Sequence, residues 1–432
     1  MPKFISFKKN LLNILFWSII AAAFIGPGTV TTASKAGASF GLSLLWALVF
    51  STIATVVLQE AAARITIASG KSLGEIIALK YQRNSNQKIK VIIFLAVAFG
   101  CAAYQAGNML GAISGIDLVS DFNIKILTLI LGFVCAILLW IGNLKIIAHA
   151  LGLIVAVMGS AFIYVAFQAD LSFGNVMKNA IIPSFPDGSS LLIIGLIGTT
   201  IVPYNLFLAS GISKGQNIRD MRVGITVAVI IGGLISMCIM IAGTQVSGEF
   251  SFKALSDTLA SNIGNWAAVF FGCGLFAAGF SSSITSPLAA AVTARSLFGQ
   301  KDEKWSPKSR NFRLVWGLIL LIGLGFGVSD VKPIPAIILA QAINGALLPI
   351  IAIFLMLAVN DKKLLSEKYV NSRLTNVMML LIVGVTSFLG VNNFMKAIFS
   401  TFSVTNPNLG GQIAVSITSI LMIWLGLRVF RK

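Results

Sequence analysis

The chain has 432 residues, 57% of them hydrophobic and 11% charged, with a mean hydropathy of +0.92 and a formal net charge of +18. A water-soluble domain cannot bury so large an apolar fraction, so the composition excludes soluble globular classes and indicates a polytopic membrane protein. The positive charge alone would suit a nucleic-acid ligand, but the lysines and arginines fall in short loops between apolar stretches, which marks topology and removes that partner.

Residues Met1 to Asn10 are short and basic and run straight into an apolar stretch too long for the core of a cleavable signal. The first predicted span, 11–38, is apolar from Leu11 to Ile25. It is interrupted by Gly26-Pro27-Gly28-Thr29 and resumes as small residues to Ala38. Pro27 lacks a backbone donor and the two glycines lower the cost of leaving helical geometry. In hydrocarbon the freed backbone groups need partners, so a break at mid-depth is expected to line a cavity. Spans follow at 42–68, 91–115, 124–143 and 146–168. The sixth, 189–213, is broken in turn at Thr199-Thr200-Ile201-Val202-Pro203-Tyr204-Asn205. Two broken helices at matching places point to a transporter's binding site, against the plainer alternative of two proline kinks with no ligand. The remaining spans are 223–247, 263–298, 314–329, 333–359, 374–399 and 411–428, and the 263–298 stretch is long enough to include a short extra turn. The count is thus about twelve.

With the N-terminus placed in the cytoplasm, 26 cations fall on the inner side, counting Arg64, and six on the outer: Lys35, Lys125, Lys178, Lys253, Lys332 and Lys396. The bias puts both termini in the cytoplasm, and the chain is expected in the plasma (inner) membrane. Of fourteen carboxylates only Glu60 lies inside a span, with Arg64 four residues on along the same helical face. An ion pair between them near the interface is a simpler reading than a transport role. His149, the sole histidine, opens the fifth span and reads as an interfacial or packing residue rather than a proton relay. The four cysteines, Cys101, Cys135, Cys238 and Cys273, lie in spans without metal-ligand spacing and read as small core residues with no disulfide. No cofactor is implied.

Three blocks of the sequence resemble the Nramp family of divalent metal transporters. They are Gly26-Pro27-Gly28-Thr29 with Ala36-Gly37-Ala38-Ser39-Phe40-Gly41 and Leu44-Leu45-Trp46, then Gly198 to Leu206, then Gly274 to Thr285. They look like the family's Asp-Pro-Gly-Asn, Met-Pro-His-Asn-Leu and Gln-Ser-Ser-Thr-Ile-Thr segments. Arg64 with Gly70-Lys71-Ser72-Leu73, and Gln341 with Pro349, also fit. The resemblance implies an all-α LeuT-type fold in a single domain, with a first inverted repeat over 11–168, a second over 189–359 and two additional helices over 374–428. It places Gly26, Thr29, Thr199, Val202 and Gln341 around a transported cation, with Pro27, Gly28, Pro203, Tyr204 and Asn205 close behind, in a monomer surrounded by bilayer.

The departures from the family pattern fall at that site. Gly26 stands where the family has aspartate, Thr29 where it has asparagine, Val202 where it has methionine and Tyr204 where it has histidine. Gln105 and Asn108 look like the positions of former proton-path carboxylates. Loss of a soft thioether and a carboxylate disfavours a dehydrated transition metal, and a roomy uncharged pocket suits Mg²⁺, which sheds water reluctantly and binds partly hydrated. The resemblance then runs to the Nramp-related magnesium transporters, with a Mg²⁺- or Mn²⁺-class cation moved by alternating access and little proton coupling.

A rival reading takes the N–H groups and helix dipole at Gly26-Pro27-Gly28 as a site for the carboxylate of an organic solute such as an amino acid. Ser281, Ser282, Ser283 and Thr285 would then supply a Na⁺ site, although small hydroxyl residues are also ordinary packing residues between membrane helices. Lys35 would point away from the face of Thr29 and snorkel to the outer interface. A leak or a sensor without transport is a third reading. No nucleophile–base set or phosphate loop supports an enzyme.

Overall fold

A computed structural model describes residues 25–82, 87–142, 145–299, 302–401 and 409–430. The first half of the first span (11–24), with Phe24, and the cations Lys3, Lys8, Lys9, Arg83, Lys301, Arg431 and Lys432 lie outside the described residues, as does the side chain of His149.

The chain begins with α1 (Pro27–Phe40), α2 (Leu45–Ser69), the short α3 (Leu73–Gln82) and α4 (Gln87–Asp117). Next come α5 (Ile124–Ile141), α6 (Lys145–Gln168), the short α7 (Phe173–Ile181), α8 (Ser190–Thr200) and α9 (Pro203–Ile212). The second half holds α10 (Ile218–Gly243), α11 (Phe252–Ile263), α12 (Trp266–Phe298), α13 (Arg310–Val328), α14 (Pro333–Val359), α15 (Arg373–Thr401) and α16 (Leu409–Phe430). Among the described residues eleven stretches are long and apolar enough to cross a membrane, with α8 and α9 together forming one of them. The broken first span supplies α1 as a half-helix.

Local chemistry sets the ends. Pro27, Pro203 and Pro333 each sit at the first helical position, where the missing N–H has no partner to lose. Asn123 Oδ1 caps α5 by accepting from Lys125 N at 3.0 Å, and Ser251 Oγ caps α11 by accepting from Ala254 N at 3.0 Å. Gly70, at φ +69°, and Gly142, at φ +74°, close α2 and α5 in the left-handed region that glycine enters without strain.

Small residues let the helices touch at backbone distance. A Cβ at Gly115 would run into Gly272 and Phe276, and one at Gly279 into Asn108 and Ala112, so α4 and α12 are packed main chain to main chain. Helix α8 meets α14 in the same way, since a Cβ at Gly198 would collide with Gln341 O and Gly345 N. Gly198→Ala is therefore expected to cost about 1–3 kcal/mol by overpacking. A lowered melting temperature of the detergent-solubilised variant checks this, and an unchanged one would contradict the packing.

The structure departs from the sequence expectation in three places. The 263–298 stretch holds no extra turn but one continuous helix, α12, and a separate short helix, α11, precedes it across Gly264 at φ +110°. Helices α3 and α7 are additions, too short to register as spans in the sequence. Of the cysteines, Cys101 and Cys135 are buried, Cys238 is half-buried and Cys273 is exposed, so Cys273 is not a core residue; all four are free thiols. Cys273 sits on the outward face of α12, where a small weakly polar thiol packs against lipid as readily as against the core.

Candidate functional site

Gly26 is extended (φ −91°, ψ 173°), and Pro27 then turns the chain into α1, with Val30 N donating to Gly26 O at 3.1 Å. The second break is narrower than the sequence indicated. Helix α8 runs on through Thr199 and Thr200, Ile201 and Val202 alone leave helical geometry (ψ 84° and 117°), and Pro203 opens α9 with Tyr204 and Asn205 in its first turn. In an unbroken helix the donor to Thr199 O would be the residue four on, which is Pro203 and has no N–H. The carbonyls on either side are occupied: Tyr104 Oη donates to Gly198 O at 2.5 Å and Thr55 Oγ1 to Thr200 O at 3.3 Å.

The two breaks meet at a pair of hydroxyls. Thr29 Oγ1 and Thr199 Oγ1 are 2.8 Å apart, and both residues are buried. Beside them Gln341 of α14 is buried, its carboxamide lies where a side chain at Gly28 would be, and its Oε1 has no hydrogen-bond partner. An unpaired buried acceptor is costly, so Gln341 Oε1 is a group in want of a donor or a cation. Gly26 faces α12, where a Cβ would meet Ser282 Oγ at 3.6 Å. Val202 is buried at the cap of α9. The site residues expected from the sequence thus converge through Thr29, Thr199, Gly28 and Gln341. The direct bond between the two hydroxyls makes the space between the breaks tighter than the roomy pocket expected.

Gln105 is fully buried, donates from Nε2 to Ser283 O at 3.1 Å and leaves Oε1 unpaired; Asn108 Nδ2 and Asn205 Nδ2 are also unpaired. The polar groups around the breaks are therefore neutral. No cluster of three or more His, Cys, Asp or Glu residues occurs among the described residues.

The carboxylate inside a span is held elsewhere. Glu60 accepts from Arg64 Nε at 3.0 Å on both oxygens and from Arg222 Nε of α10 at 2.8 Å. Lys35 lies over the Phe250 ring, 5.8 Å from its centroid.

Sequence reasoning missed Tyr104. Its ring meets Tyr204 edge-on, with centroids 5.7 Å apart, so one side chain of α4 touches α8 through Gly198 and α9 through Tyr204. The signal that could have found it is a tyrosine set among alanines and glycines one residue before Gln105. Arg222 was also missed as a partner of Glu60, because no spacing rule links residues 162 apart.

The sequence profile described as natural resistance-associated macrophage protein-like matches residues 18–396. The chain belongs to the Nramp family. Among its relatives, the divalent metal cation transporter MntH of Yersinia pestis is 24% identical over 403 residues, covering 88% of this chain and 95% of that protein. The protein of the same name from Caldanaerobacter subterraneus is 23% identical, covering 88% and 92%. In solved structures, this Nramp chain matches a mutant of the Eremococcus coleocola manganese transporter at 19% identity with a TM-score of 0.73, covering 98% and 96% of the two chains. Mhp1, a nucleobase-cation-symport-1 family transporter solved closed with bromovinylhydantoin bound, matches at 16% identity and a TM-score of 0.53, covering 95% and 92%. The fold is accordingly the LeuT type, all-α among the described residues, with the sixth span broken at Ile201–Val202 and α1 opening at Pro27 after the extended Gly26.

Proposed function

We propose that this Nramp-family protein carries a divalent cation across the membrane, Mg²⁺ in preference to Mn²⁺, by alternating access and without strong proton coupling. One observation carries the reading: the two helix breaks meet in the Thr29–Thr199 hydroxyl pair, beside the unpaired Gln341 Oε1, with neutral groups around them. The relatives are named as divalent metal transporters, which supports the cargo class. For an ion, both hydroxyls would turn away from each other, and the Thr199 carbonyl, deprived of its helical donor by Pro203, would add a further hard oxygen. Such a set of neutral hard oxygens, with no thioether, suits a hard cation over a soft one.

Residues 11–168 and 189–359 would rock about the two breaks as inverted repeats, in a monomer whose termini face the cytoplasm. Proton movement lacks a relay at the site, because Gln105, Asn108 and Tyr204 do not titrate near neutral pH as an imidazole does.

Radiotracer or fluorescence flux into proteoliposomes, run with Mg²⁺, Mn²⁺, Ca²⁺ and a panel of amino acids, tests the reading. The expected result is Mg²⁺ uptake exceeding Mn²⁺ uptake, with no acidification of the lumen on the timescale of the metal flux. Na⁺-dependent amino-acid uptake without divalent flux would overturn the cargo. Acidification as fast as metal entry would overturn the uncoupled mechanism.

A further inference from the structure

A cavity of about 520 Å³, lined by none of the residues at the helix breaks, lies between the outer end of α2, the segment after α7, and helices α15 and α16. Its walls are apolar, formed by Trp46, Phe185, Val385, Phe388, Val415 and Met422 among others. Trp46 is pinned there: its indole Nε1 donates to Ser184 O at 2.9 Å, and its ring meets Phe185 with centroids 5.0 Å apart. The surfaces of α15 and α16 around the mouth are apolar and outward-facing, as at Leu381, Val415 and Ile420. A groove opening from membrane-spanning helices onto such a surface opens onto hydrocarbon, and an empty one would forfeit dispersion contacts along its whole lining.

The roof marks the interface. Helix α7 exposes Phe173, Met177 and Ile181 at four-residue spacing, the pattern of a helix lying in the headgroup boundary, and leads through Ile182 and Pro183 to Phe185. Charge is present at the same end. Lys396 follows Val385 and Leu389 by eleven and seven residues, so it lies on the same face of α15, about 10 Å beyond Leu389 toward the helix end. It is exposed and reaches Ser190 Oγ at 2.9 Å. On the topology expected from the loop cations, this is the outer leaflet.

We infer that this groove is a lipid site that takes one acyl chain of an anionic glycerophospholipid, with the headgroup at Lys396. Volume, apolar walls and a cation one headgroup's reach above the walls all match that occupant. The chain would wedge between the 182–185 segment and the α15–α16 pair, coupling the two additional helices to α2.

Trp46 supplies the readout, because it lines the groove and is only 6% exposed. The full-length protein is reconstituted with phosphatidylglycerol or phosphatidylcholine carrying brominated acyl chains. Emission of Trp46 is taken as the difference between the protein and Trp46→Phe. The expected result is loss of Trp46 emission, stronger with phosphatidylglycerol, with Lys396→Gln removing the headgroup preference. Gly384→Leu should abolish the loss, since a Cβ there already presses Met422 at 3.1 Å and a larger group fills the groove. Val415→Phe at the mouth does the same should that variant fail to fold. No quenching in either lipid overturns the site, equal quenching in both overturns the anionic occupant, and quenching that survives both filling variants overturns the groove as the route.

Discussion

The variant Gly26→Asp, Thr29→Asn, Val202→Met is expected to bind Mn²⁺ or Cd²⁺ at least tenfold more tightly than the parent, a gain of about 1.4 kcal/mol or more. The structure has room for the first change, since a Cβ at Gly26 meets only Ser282 Oγ, at ordinary contact distance (3.6 Å). Gly26 is also the cap of α1, a position where aspartate is favoured for helix stability, so the substitution does not work against folding. Asparagine at residue 29 can still accept from Thr199, replacing the hydroxyl pair with an amide–hydroxyl contact. The three changes separate by chemistry. A carboxylate strengthens binding of any divalent cation, whereas a thioether favours soft ions. Gly26→Asp alone should therefore raise affinity for Mg²⁺ and Mn²⁺ together, and adding Val202→Met should shift the ratio toward Cd²⁺. Calorimetric titration of the purified variants measures both steps. A triple variant that binds neither Mn²⁺ nor Cd²⁺ would mean that Gly26, Thr29 and Val202 do not face one ion.

Those three positions stand out in the amino-acid sequence itself. The breaks are legible there because proline and glycine interrupt otherwise apolar runs, and their partners are legible through the family resemblance. Which backbone groups the breaks release is only half legible. Pro203 removes the helical donor to Thr199 O, which follows from the order of residues alone. The occupation of the neighbouring carbonyls by Tyr104 and Thr55 depends on the packing of α4 and α2 against α8. The same limit applies to α3, α7 and α11. Their apolar faces are too short to stand out beside long spans, and α7 matters only because of the groove it leads into. The Glu60–Arg64 pair follows from i,i+4 spacing, yet its remaining partners come from α10 and from the segment after α14.

Arg64→Ala is expected to destabilise the protein by about 3–5 kcal/mol, the scale for removing one partner from a buried ion pair. Arg64 is only 4% exposed, and each of its three guanidinium nitrogens donates a hydrogen bond. Nε serves Glu60, Nη1 donates to Tyr369 O, and Nη2 donates to Asn371 Oδ1 at 2.6 Å. Asn371 in turn donates to Asn376 Oδ1 at 2.9 Å, and Asn376 exchanges hydrogen bonds with Asn360 at the end of α14. One guanidinium thus ties α2 to the α14–α15 connection, and through Glu60 to Arg222 on α10. The two partners are not equivalent. Without Arg64, Glu60 is 18% exposed and keeps Arg222, which is itself 55% exposed and partly hydrated. Without Glu60, the buried Arg64 retains only neutral acceptors. Glu60→Ala should therefore cost as much as Arg64→Ala or more, despite removing fewer hydrogen bonds. The double variant should fall short of the sum of the singles by about 0.5–3 kcal/mol, because the second deletion removes a charge that the first had stranded. Thermal unfolding of the three variants in detergent, read as shifts in melting temperature, decides between the two outcomes. Additive shifts, or a milder effect for Glu60→Ala than for Arg64→Ala, would show that the network's neutral contacts rather than its buried charge hold the α2 end in place.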